Sequence, residues 1–215
     1  MIDAHLEEIL QRYARWLEAG KIPSAGRILP IAEAVVHKDW ILPTHQAEDI
    51  LRNADLIALA SCTCRLYYKR CKHPVETCLL LNRTAQVFLD AGRARPISQE
   101  ECMAVLRTAQ SHGLVHQAAY QPEHDIWAVC SCCSCCCYRL QILKLHAHED
   151  MVAHSDYFAE VDMARCRDCG ICVECCVFGA WKTIDGKAVY DAGRCYGCGQ
   201  CVVQCPESAI WLRPR

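Results

Sequence analysis

Long apolar runs and the common catalytic and nucleotide-binding motifs are missing from this sequence. No apolar stretch approaches the about 18 residues that suggest a membrane span, so we expect no membrane-spanning helix. Neither G-x-x-x-x-G-K-[ST] nor G-x-G-x-x-G occurs, which leaves nucleotide, flavin and NAD binding unsupported. The sequence also has no HExxH motif and no nucleophile elbow. These absences point away from a hydrolase.

The sequence has no large excess of positive or negative charge, and it has no recognisable export signal. The formal net charge is −2 at pH 7, which gives no bulk attraction to nucleic acid. The first five residues lead directly into a charged amphipathic stretch, with no signal peptide visible. We therefore expect a soluble, cytoplasmic protein with no nucleic-acid partner.

Cysteine is the residue that this sequence has in excess. It contains 20 cysteines among 215 residues, and six of them lie between residues 129 and 138, in the segment VCSCCSCCCY. A disulfide framework, a store of zinc or copper and an iron–sulfur site all begin from such a composition. Because thiols in the cytoplasm stay reduced, we expect metal binding and no disulfides.

Two cysteine runs near the C-terminus share the spacing C-x2-C-x2-C-x3-C and lie 29 residues apart. The runs are CRDCGICVECC, with Cys166, Cys169, Cys172 and Cys176, and CYGCGQCVVQCP, with Cys195, Cys198, Cys201 and Cys205. Three cysteines at this spacing on a tight loop can each reach a different iron of one cubane, whereas the fourth ligates the other cluster. The spacing predicts crossed ligation. One [4Fe–4S] cluster would be bound by Cys166, Cys169, Cys172 and Cys205, and the second by Cys195, Cys198, Cys201 and Cys176.

Over about residues 158–213 the sequence resembles the bacterial two-cluster ferredoxins. The resemblance implies a ferredoxin-like fold with two [4Fe–4S] clusters, and Asp185-Gly186 between the runs is a good hairpin signal. This chain departs from the family pattern in having Val177 after Cys176, where Pro206 follows Cys205. Cys175 is an additional thiol, which we expect to be a small buried apolar residue, with a shifted ligand as the alternative. Zinc could also use the paired CxxC motifs, but the third and fourth cysteines of each run disfavour it.

The N-terminal part contains several segments with clear helical or strand patterns. Helices are predicted over residues 2–19, 45–54 (with Thr44 as N-cap), 74–90 and 98–112, where Ser98 and Glu101 fit a capping box. Strands are predicted over residues 56–60, 113–116 and 125–130. We therefore expect an α+β protein. Residues 1–155 would form a mainly helical, cysteine-rich domain with a small β-ribbon, and residues 156–215 a ferredoxin-like dicluster domain.

Ten cysteines of the N-terminal part follow the ends of predicted elements. They are Cys62, Cys64, Cys71 and Cys78 after the first strand, and Cys130, Cys132, Cys133, Cys135, Cys136 and Cys137 after the ribbon. The pattern SCTCR…KRCKHPVETCL…VCSCCSCCC, over about residues 28–140, resembles a little-characterised group of cysteine-rich ferredoxin-like iron–sulfur proteins. The resemblance implies an additional iron–sulfur site, with one or two further clusters that include the option of an unusual type. A zinc or copper store is the alternative for these thiols.

The crowded run contains two interleaved spacings. Cys130, Cys133 and Cys136 form C-x2-C-x2-C, and Cys132 and Cys135 form a second C-x2-C in the other phase. Adjacent side chains point in different directions, so the phases predict two faces. One set would bind a cubane locally, and the other would face the cysteines of residues 62–78.

Two other features of this part have a plain interpretation beside a functional one. Cys102 is expected to be buried in an amphipathic helix. The basic residues around Cys71 would be a solvated loop, or would compensate anionic clusters or dock an acidic partner. These residues are Arg65, Lys69, Arg70, Lys72 and His73.

The sequence as a whole favours a multicluster iron–sulfur protein that relays low-potential electrons between a soluble donor and a partner redox enzyme. We expect an electron carrier or a subunit of a redox enzyme rather than a stand-alone enzyme. A reductase with a catalytic N-terminal cluster, fed by the ferredoxin domain, is the first alternative. A cluster-based redox sensor is the second. The donor, the acceptor and a small-molecule substrate are not indicated by any motif.

Overall fold

The computed structural model describes residues 4–19, 26–29, 50–120, 126–146 and 152–215. The strands are β1 (Gly26–Leu29), β2 (Ile57–Ser61), β3 (Glu76–Leu81), β4 (Ala94–Pro96), β5 (Val115–Tyr120), β6 (Ile126–Cys132), β7 (Tyr157–Val161), β8 (Trp181–Ile184), β9 (Lys187–Tyr190) and β10 (Ile210–Pro214). The helices are α1 (Ala4–Glu18), α2 (Thr63–Tyr68), α3 (Asn82–Asp90), α4 (Gln99–Ser111), α5 (Tyr138–His146), α6 (Ile171–Cys175) and α7 (Gln200–Gln204), with a 3-10 turn at Ala192–Arg194. Thr44 and most of the helix predicted over residues 45–54 lie outside the described residues, and residues 50–52 are helical.

A six-stranded antiparallel sheet organises the N-terminal part, in the order β1-β5-β6-β3-β2-β4. The predicted strands at residues 56–60, 113–116 and 125–130 correspond to β2, β5 and β6, and the expected β5–β6 pairing is confirmed. The expectation of only a small ribbon is wrong, because that ribbon is two strands of this larger sheet. Of the strands that the sequence did not reveal, β1 and β4 are short and β3 contains a continuous apolar run, so none shows a clear period.

The helix predicted over residues 74–90 is the main error in the elements. Its first part is the strand β3, and helix α3 begins only at Asn82. Leu79, Leu80 and Leu81 are all buried, because both faces of the sheet are covered at β3. A strand that is buried on both faces has a continuous apolar run, which also fits a helix. Asn82 makes the change of direction with a left-handed φ of 49°, and its Oδ1 accepts the Asp55 N–H at 2.8 Å.

Both faces of the sheet are covered by helices, which gives the N-terminal part three layers. Leu59 and Leu79 pack with Leu106 of α4 on one face. The other face is formed by smaller residues such as Ala60 and Ala128, and α3 packs there through Ala85. The predicted helix over residues 98–112 is confirmed as α4, with the Ser98 Oγ accepting the Glu101 N–H at 3.1 Å and Cys102 fully buried.

The C-terminal part has the internal repeat that its two cysteine runs predict. Each run continues into a short helix, α6 or α7, and each helix starts after a left-handed glycine, Gly170 or Gly199. The hairpin β8–β9 turns at Asp185 and Gly186, with φ values of 50° and 76°, as the dipeptide predicts. Strands β7 and β10 pair antiparallel and bring the beginning of this part beside its end.

The second cysteine run packs against the N-terminal part. Tyr196 lies in one apolar cluster with Leu6 and Ile9 of α1 and with Ile142 of α5. A hydrogen bond from the Gln200 Nε2 to the Leu114 carbonyl oxygen, 2.7 Å long and buried, joins α7 to the start of β5. Within the described part of the chain, no helix is both long and apolar enough to cross a membrane.

Candidate metal centres

The first ferredoxin-type set comes together around one cavity. Three cysteines of the first run and the last cysteine of the second line it: Cys166, Cys169, Cys172 and Cys205. Trp181 and Ile210 close it with apolar surface. Backbone N–H groups of Asp168 and Ala209 each lie 3.4 Å from a cysteine sulfur, those of Cys166 and Cys205 respectively. Such donors stabilise negative charge on sulfur and tune the potential of a cluster. The cavity contains the same four thiols that crossed ligation predicts.

The second set lies in the core of the C-terminal part. Cys195 and Cys201 are buried, and Cys176 packs against the same apolar cluster. The Cys195 sulfur accepts the N–H groups of Ala159 and Gly197 at 3.4 Å each. Burial, followed by the charges of Cys176 and Cys195, raises the pKa of Cys198. Cys176, Cys195, Cys198 and Cys201 thus lie in one region of the C-terminal part, and their crossed ligation stays a prediction.

Cys175 lies between the two sets. It is half-buried in the same apolar cluster, and its sulfur lies 3.6 Å from the Cys172 carbonyl oxygen. Burial raises its pKa to about 12, and its charge in turn contributes to the raised pKa values of Cys198 and Cys201. Its position fits the expected apolar packing role and leaves the shifted-ligand alternative as a prediction.

Seven cysteines of the N-terminal part line a second cavity at one edge of the large sheet, and one of them, Cys133, also belongs to a compact group described below. We call it the six-cysteine cavity after the other six, which are Cys62, Cys64, Cys78, Cys130, Cys132 and Cys137. The end of β2, the start of β3 and the end of β6 meet at this edge because the three strands run antiparallel. The six are neighbours in a chain, each thiol influencing the pKa of the next, in the order Cys62, Cys64, Cys137, Cys132, Cys130 and Cys78.

The strand geometry explains which cysteines reach this cavity. Cys78 lies directly opposite Cys130 in the β3–β6 register, so their side chains are cross-strand neighbours. Cys130 and Cys132 are two residues apart on β6, and alternate side chains of a strand point to the same face. Of the cysteines that follow, Cys135 and Cys136 lie on a turn at residues 134–136, and Cys133 and Cys137 flank it, so the period of two no longer holds.

Two buried arginines also line the six-cysteine cavity. Arg65 and Arg139 are 4% and 5% exposed. Arg65 donates to the Ser131 carbonyl oxygen at 2.9 Å and to the Thr77 hydroxyl. Burial opposes the charge of Arg139, but the neighbouring Tyr138, Cys130 and Cys137 groups outweigh it and raise its pKa. The solvated-loop interpretation is therefore wrong for Arg65, which supplies positive charge inside the protein.

The donor set of the six-cysteine cavity fits an anionic iron–sulfur cluster. Thiolate sulfurs are the ligands that such clusters use, and two buried cations offset the negative charge. The Nε–H donors of Arg65 and Arg139 are buried with no hydrogen-bond partner in the described protein. Cluster sulfides can accept such donors, and an orphaned buried donor otherwise carries a free-energy cost.

Sequence reasoning missed several residues that complete this cavity. Arg139 follows the crowded run by two positions, and that proximity is the one signal that could have identified it. Gln117 lies under the cavity, with its Nε2 at 3.9 Å from the Cys137 sulfur. His116 is fully buried, with its Nδ1 3.0 Å from the Ser131 Oγ, and burial lowers its pKa to about 3.

Four thiols of the N-terminal part form a compact group. Its members are Cys71, Cys133, Cys135 and Cys136, whose four sulfur atoms all lie within 4.8 Å of one another. The spacing predicted Cys130, Cys133 and Cys136 as one set, whereas the structure places Cys133 both beside Cys130 at the cavity and beside Cys136 in the compact group. The reason is that the run is part strand and part turn, so equal spacing along the chain does not mean a shared direction.

Comparison with known proteins bears on the C-terminal part. Residues 188–211 match the family model of the 4Fe-4S binding domain, and this segment contains the whole second cysteine run. No curated protein and no solved structure was found to match the chain. The match supports a ferredoxin-like C-terminal part that binds a [4Fe–4S] cluster, and it does not extend to the N-terminal cysteines.

Proposed function

We propose that this protein is a multicluster iron–sulfur electron-transfer protein, which relays low-potential electrons between a soluble donor and a partner redox enzyme in the cytoplasm. The observation that carries the proposal is the cavity lined by Cys166, Cys169, Cys172 and Cys205. It collects thiols from both runs, which lie 29 residues apart, in the combination that a crossed pair of cubanes needs.

Eight cysteines would hold the two C-terminal clusters. Cys166, Cys169, Cys172 and Cys205 would bind the first, and Cys195, Cys198, Cys201 and Cys176 the second. Each bound cluster supplies reversible one-electron chemistry. The chain contributes the apolar surroundings that exclude water and the backbone N–H groups aimed at sulfur, such as those at Cys195. Both features set the reduction potential.

The six-cysteine cavity would hold at least one additional cluster. Its six thiols exceed the four that an ordinary cubane uses, which supports a cluster of larger or unusual type. Arg65 and Arg139 would stabilise its reduced form, because reduction adds negative charge beside two buried cations.

The packing between the two parts supports communication between these sites. Phe178 lies against an apolar cluster formed by Leu140 and by Cys132 and Cys137 of the cavity wall. The same ring stacks on Tyr196, with centroids 4.5 Å apart and planes 19° apart. Tyr196 sits next to Cys195 in the second run, so the six-cysteine cavity and the second ferredoxin-type set are connected by direct packing.

A reductase with a catalytic N-terminal cluster is the second candidate. The observation that favours it is the surplus of cavity-lining groups beyond cluster ligands: Trp127, Thr77 and the two guanidinium groups. These would offer an anionic substrate a cationic, partly apolar wall. Changes in the EPR signal of the N-terminal site upon addition of small anionic oxidants would support this candidate over a pure carrier.

Anaerobic purification followed by iron and sulfide analysis and EPR of the reduced protein tests the proposed function. Two cubanes contain about eight irons, and we expect more irons than this per chain. A protein that contains zinc and no iron would end the proposal.

The crossed ligation has its own test in a single variant. We expect Cys205→Ser to perturb the cluster of the first run while the cluster of the second run keeps its signal. Cys102→Ala, which removes a buried thiol outside every candidate site, is the control and should retain all iron. Loss of the second run's cluster instead would show that each run ligates its own cluster.

A further inference from the structure

The compact group formed by Cys71, Cys133, Cys135 and Cys136 differs in geometry from the other cysteine sites. Its sulfur atoms are separated by 3.7 Å between Cys71 and Cys133, 3.8 Å between Cys71 and Cys136, and 3.9 Å between Cys135 and Cys136. We propose that these four thiolates bind a single tetrahedral metal ion, zinc or iron, and not an iron–sulfur cluster.

The sulfur–sulfur distances carry this proposal. A tetrahedral ion with metal–sulfur bonds of about 2.3 Å places its four sulfurs at the corners of a tetrahedron with edges of about 3.8 Å. The three measured separations match that edge. A cubane instead presents four separate irons, each with one thiolate pointing outward, so its ligands lie farther apart than the ligands of one ion.

The other cysteine groups of this protein do not share the compact geometry. Among the described residues, which include all eight ferredoxin-type cysteines, no other group of three or more cysteine, histidine or acidic ligands lies within 4.8 Å of one another. The cysteines of the six-cysteine cavity form an extended chain of neighbours. The compact geometry therefore belongs to this group alone in the described part of the chain.

The surroundings of the group fit a closed site with a net negative charge. Cys133 and Cys136 are buried, and four protein thiolates leave no open position on a tetrahedral ion, which is typical of structural sites. Arg70 lies beside the group and donates to the Cys135 carbonyl oxygen at 3.3 Å and to the Gln141 Oε1 at 2.6 Å. Gln141 in turn donates to the Cys136 carbonyl oxygen at 3.0 Å. These contacts orient the ligating turn and bring a positive charge near four thiolates.

A single ion here would fasten two segments that are far apart in the sequence. Cys71 follows helix α2, whose first turn carries Cys64 of the six-cysteine cavity, and the other ligands lie on the turn after β6. The ion would hold α2 against that turn and so fix one wall of the cavity. The inference does not depend on the proposed electron-transfer function, because an ion of either metal would fasten these two segments whether or not electrons pass through the protein.

The decisive measurement uses the intact wild-type chain, purified without oxygen. Zinc X-ray absorption should show four sulfur neighbours at about 2.3 Å and no metal neighbour, with one zinc per chain. If the site binds iron, Mössbauer spectroscopy should instead resolve one iron per chain with the spectrum of an isolated tetrathiolate centre, beside the irons of the clusters. Either result supports the proposal, and metal analysis distinguishes zinc from additional iron.

A variant links the ion to these residues. We expect Cys71→Ser to lose one metal ion per chain and no inorganic sulfide, while the EPR signals of the C-terminal clusters persist. Cys102→Ala is the matched control and should lose nothing. Loss of several irons together with sulfide, or a wild-type protein in which no isolated tetrathiolate ion is found, would overturn the proposal. A protein with this ion but no iron–sulfur cluster would overturn the proposed function and leave the inference intact.

Discussion

At the scale of single residues, the two arginines of the six-cysteine cavity are buried charges whose free-energy cost must be offset by their surroundings. Transferring a guanidinium from water into a protein interior costs several kcal/mol unless negative charge and hydrogen bonds compensate it. Arg65 has two hydrogen-bond acceptors in the protein, whereas the groups that favour the charge of Arg139 are Tyr138 and the surrounding thiols. Arg139 therefore depends most directly on what those thiols bind.

Replacing Arg139 tests this dependence. Arg139→Gln removes a buried positive charge beside the proposed N-terminal cluster, so reduction of that cluster becomes less favourable. We expect its potential to fall by roughly 60 mV, which is a tenfold change in a one-electron equilibrium. EPR-monitored redox titration measures the shift.

Two further variants separate charge from packing at this position. Arg139→Lys retains the charge and should shift the potential less than Arg139→Gln, although lysine lacks the planar fork of donors. Arg107→Gln removes an exposed charge on α4 and should leave the potential unchanged. An equal shift in all three variants would mean that Arg139 does not act on the cluster through its charge.

Sequence could predict the residues whose role depends on local spacing, and it missed those whose role depends on distant contacts. The ferredoxin-type cysteines have their partners within a short repeat, so their grouping is visible in the spacing. Arg139 owes its importance to burial beside Cys130, a contact made by the fold of β6 into α5. The sequence places Arg65 in a basic patch, but it does not show which residue of that patch has a buried side chain.

At the scale of elements, the loop of the second cysteine run depends on a glycine that packs against β7. Gly197 has a left-handed φ of 68°, and a Cβ added to it would clash with the Ser155 Oγ and with the Tyr157 carbonyl oxygen. The Ser155 hydroxyl also donates to the Gly197 carbonyl oxygen at 3.2 Å. The close approach fixes the loop that presents Cys195 and Cys198.

We expect Gly197→Ala to destabilise the protein by about 3 kcal/mol or more, since backbone strain and a clash with main-chain atoms add together. Gly186→Ala is the matched control. It has a similar φ of 76° but open space around the position, so it should cost only about 1–2 kcal/mol. Thermal unfolding of the two variants under identical conditions gives the comparison. Equal losses would show that the contact with β7 contributes little.

Helices and strands with strong local sequence signals could be predicted, and those with ambiguous signals could not. Helix α4 has a cap and an amphipathic period, and the β8–β9 hairpin has its Asp-Gly turn, so both were predictable. Strand β3 was not, because an apolar run such as Leu79 to Leu81 fits either element until its two-sided burial is known. The division of the crowded cysteines failed for a related reason, since spacing has structural meaning only once strand and turn are distinguished.

At the scale of the whole molecule, stacked rings of the C-terminal part lie at its contact with the N-terminal part. His154 stacks on Tyr196 with centroids 4.0 Å apart, and Tyr196 stacks on Phe178. The buried hydrogen bond from Gln200 to Leu114 lies at the same contact. The two parts therefore meet beside the second ferredoxin-type set.

We expect Phe178→Ala to weaken this contact and to slow electron exchange between the C-terminal clusters and the N-terminal site. Truncating a partly buried phenylalanine should cost about 1–3 kcal/mol, below the range for fully buried rings. Rapid-freeze EPR after reduction of the C-terminal clusters measures the exchange, and metal analysis verifies that no cluster is lost. Met103→Ala, which shortens a partly buried apolar side chain on the α4 face, opposite to the face that carries Cys78 and Cys130, should leave the exchange rate unchanged. An unaltered rate in Phe178→Ala would place the route elsewhere.

Because Cys78 pairs with Cys130, the lengths of β3 and β6 determine which side chains face the N-terminal site. Because side chains alternate along a strand, inserting or deleting one residue early in β3 would turn Cys78 to the α4 face and put an apolar or hydroxyl side chain in its place. The same change in β6 would reverse Cys130 and Cys132 together. A change of length by one residue in either strand is thus a more severe lesion for this site than the loss of any one thiol. Length variation during evolution should therefore collect in the loops of this sheet rather than in β3 or β6.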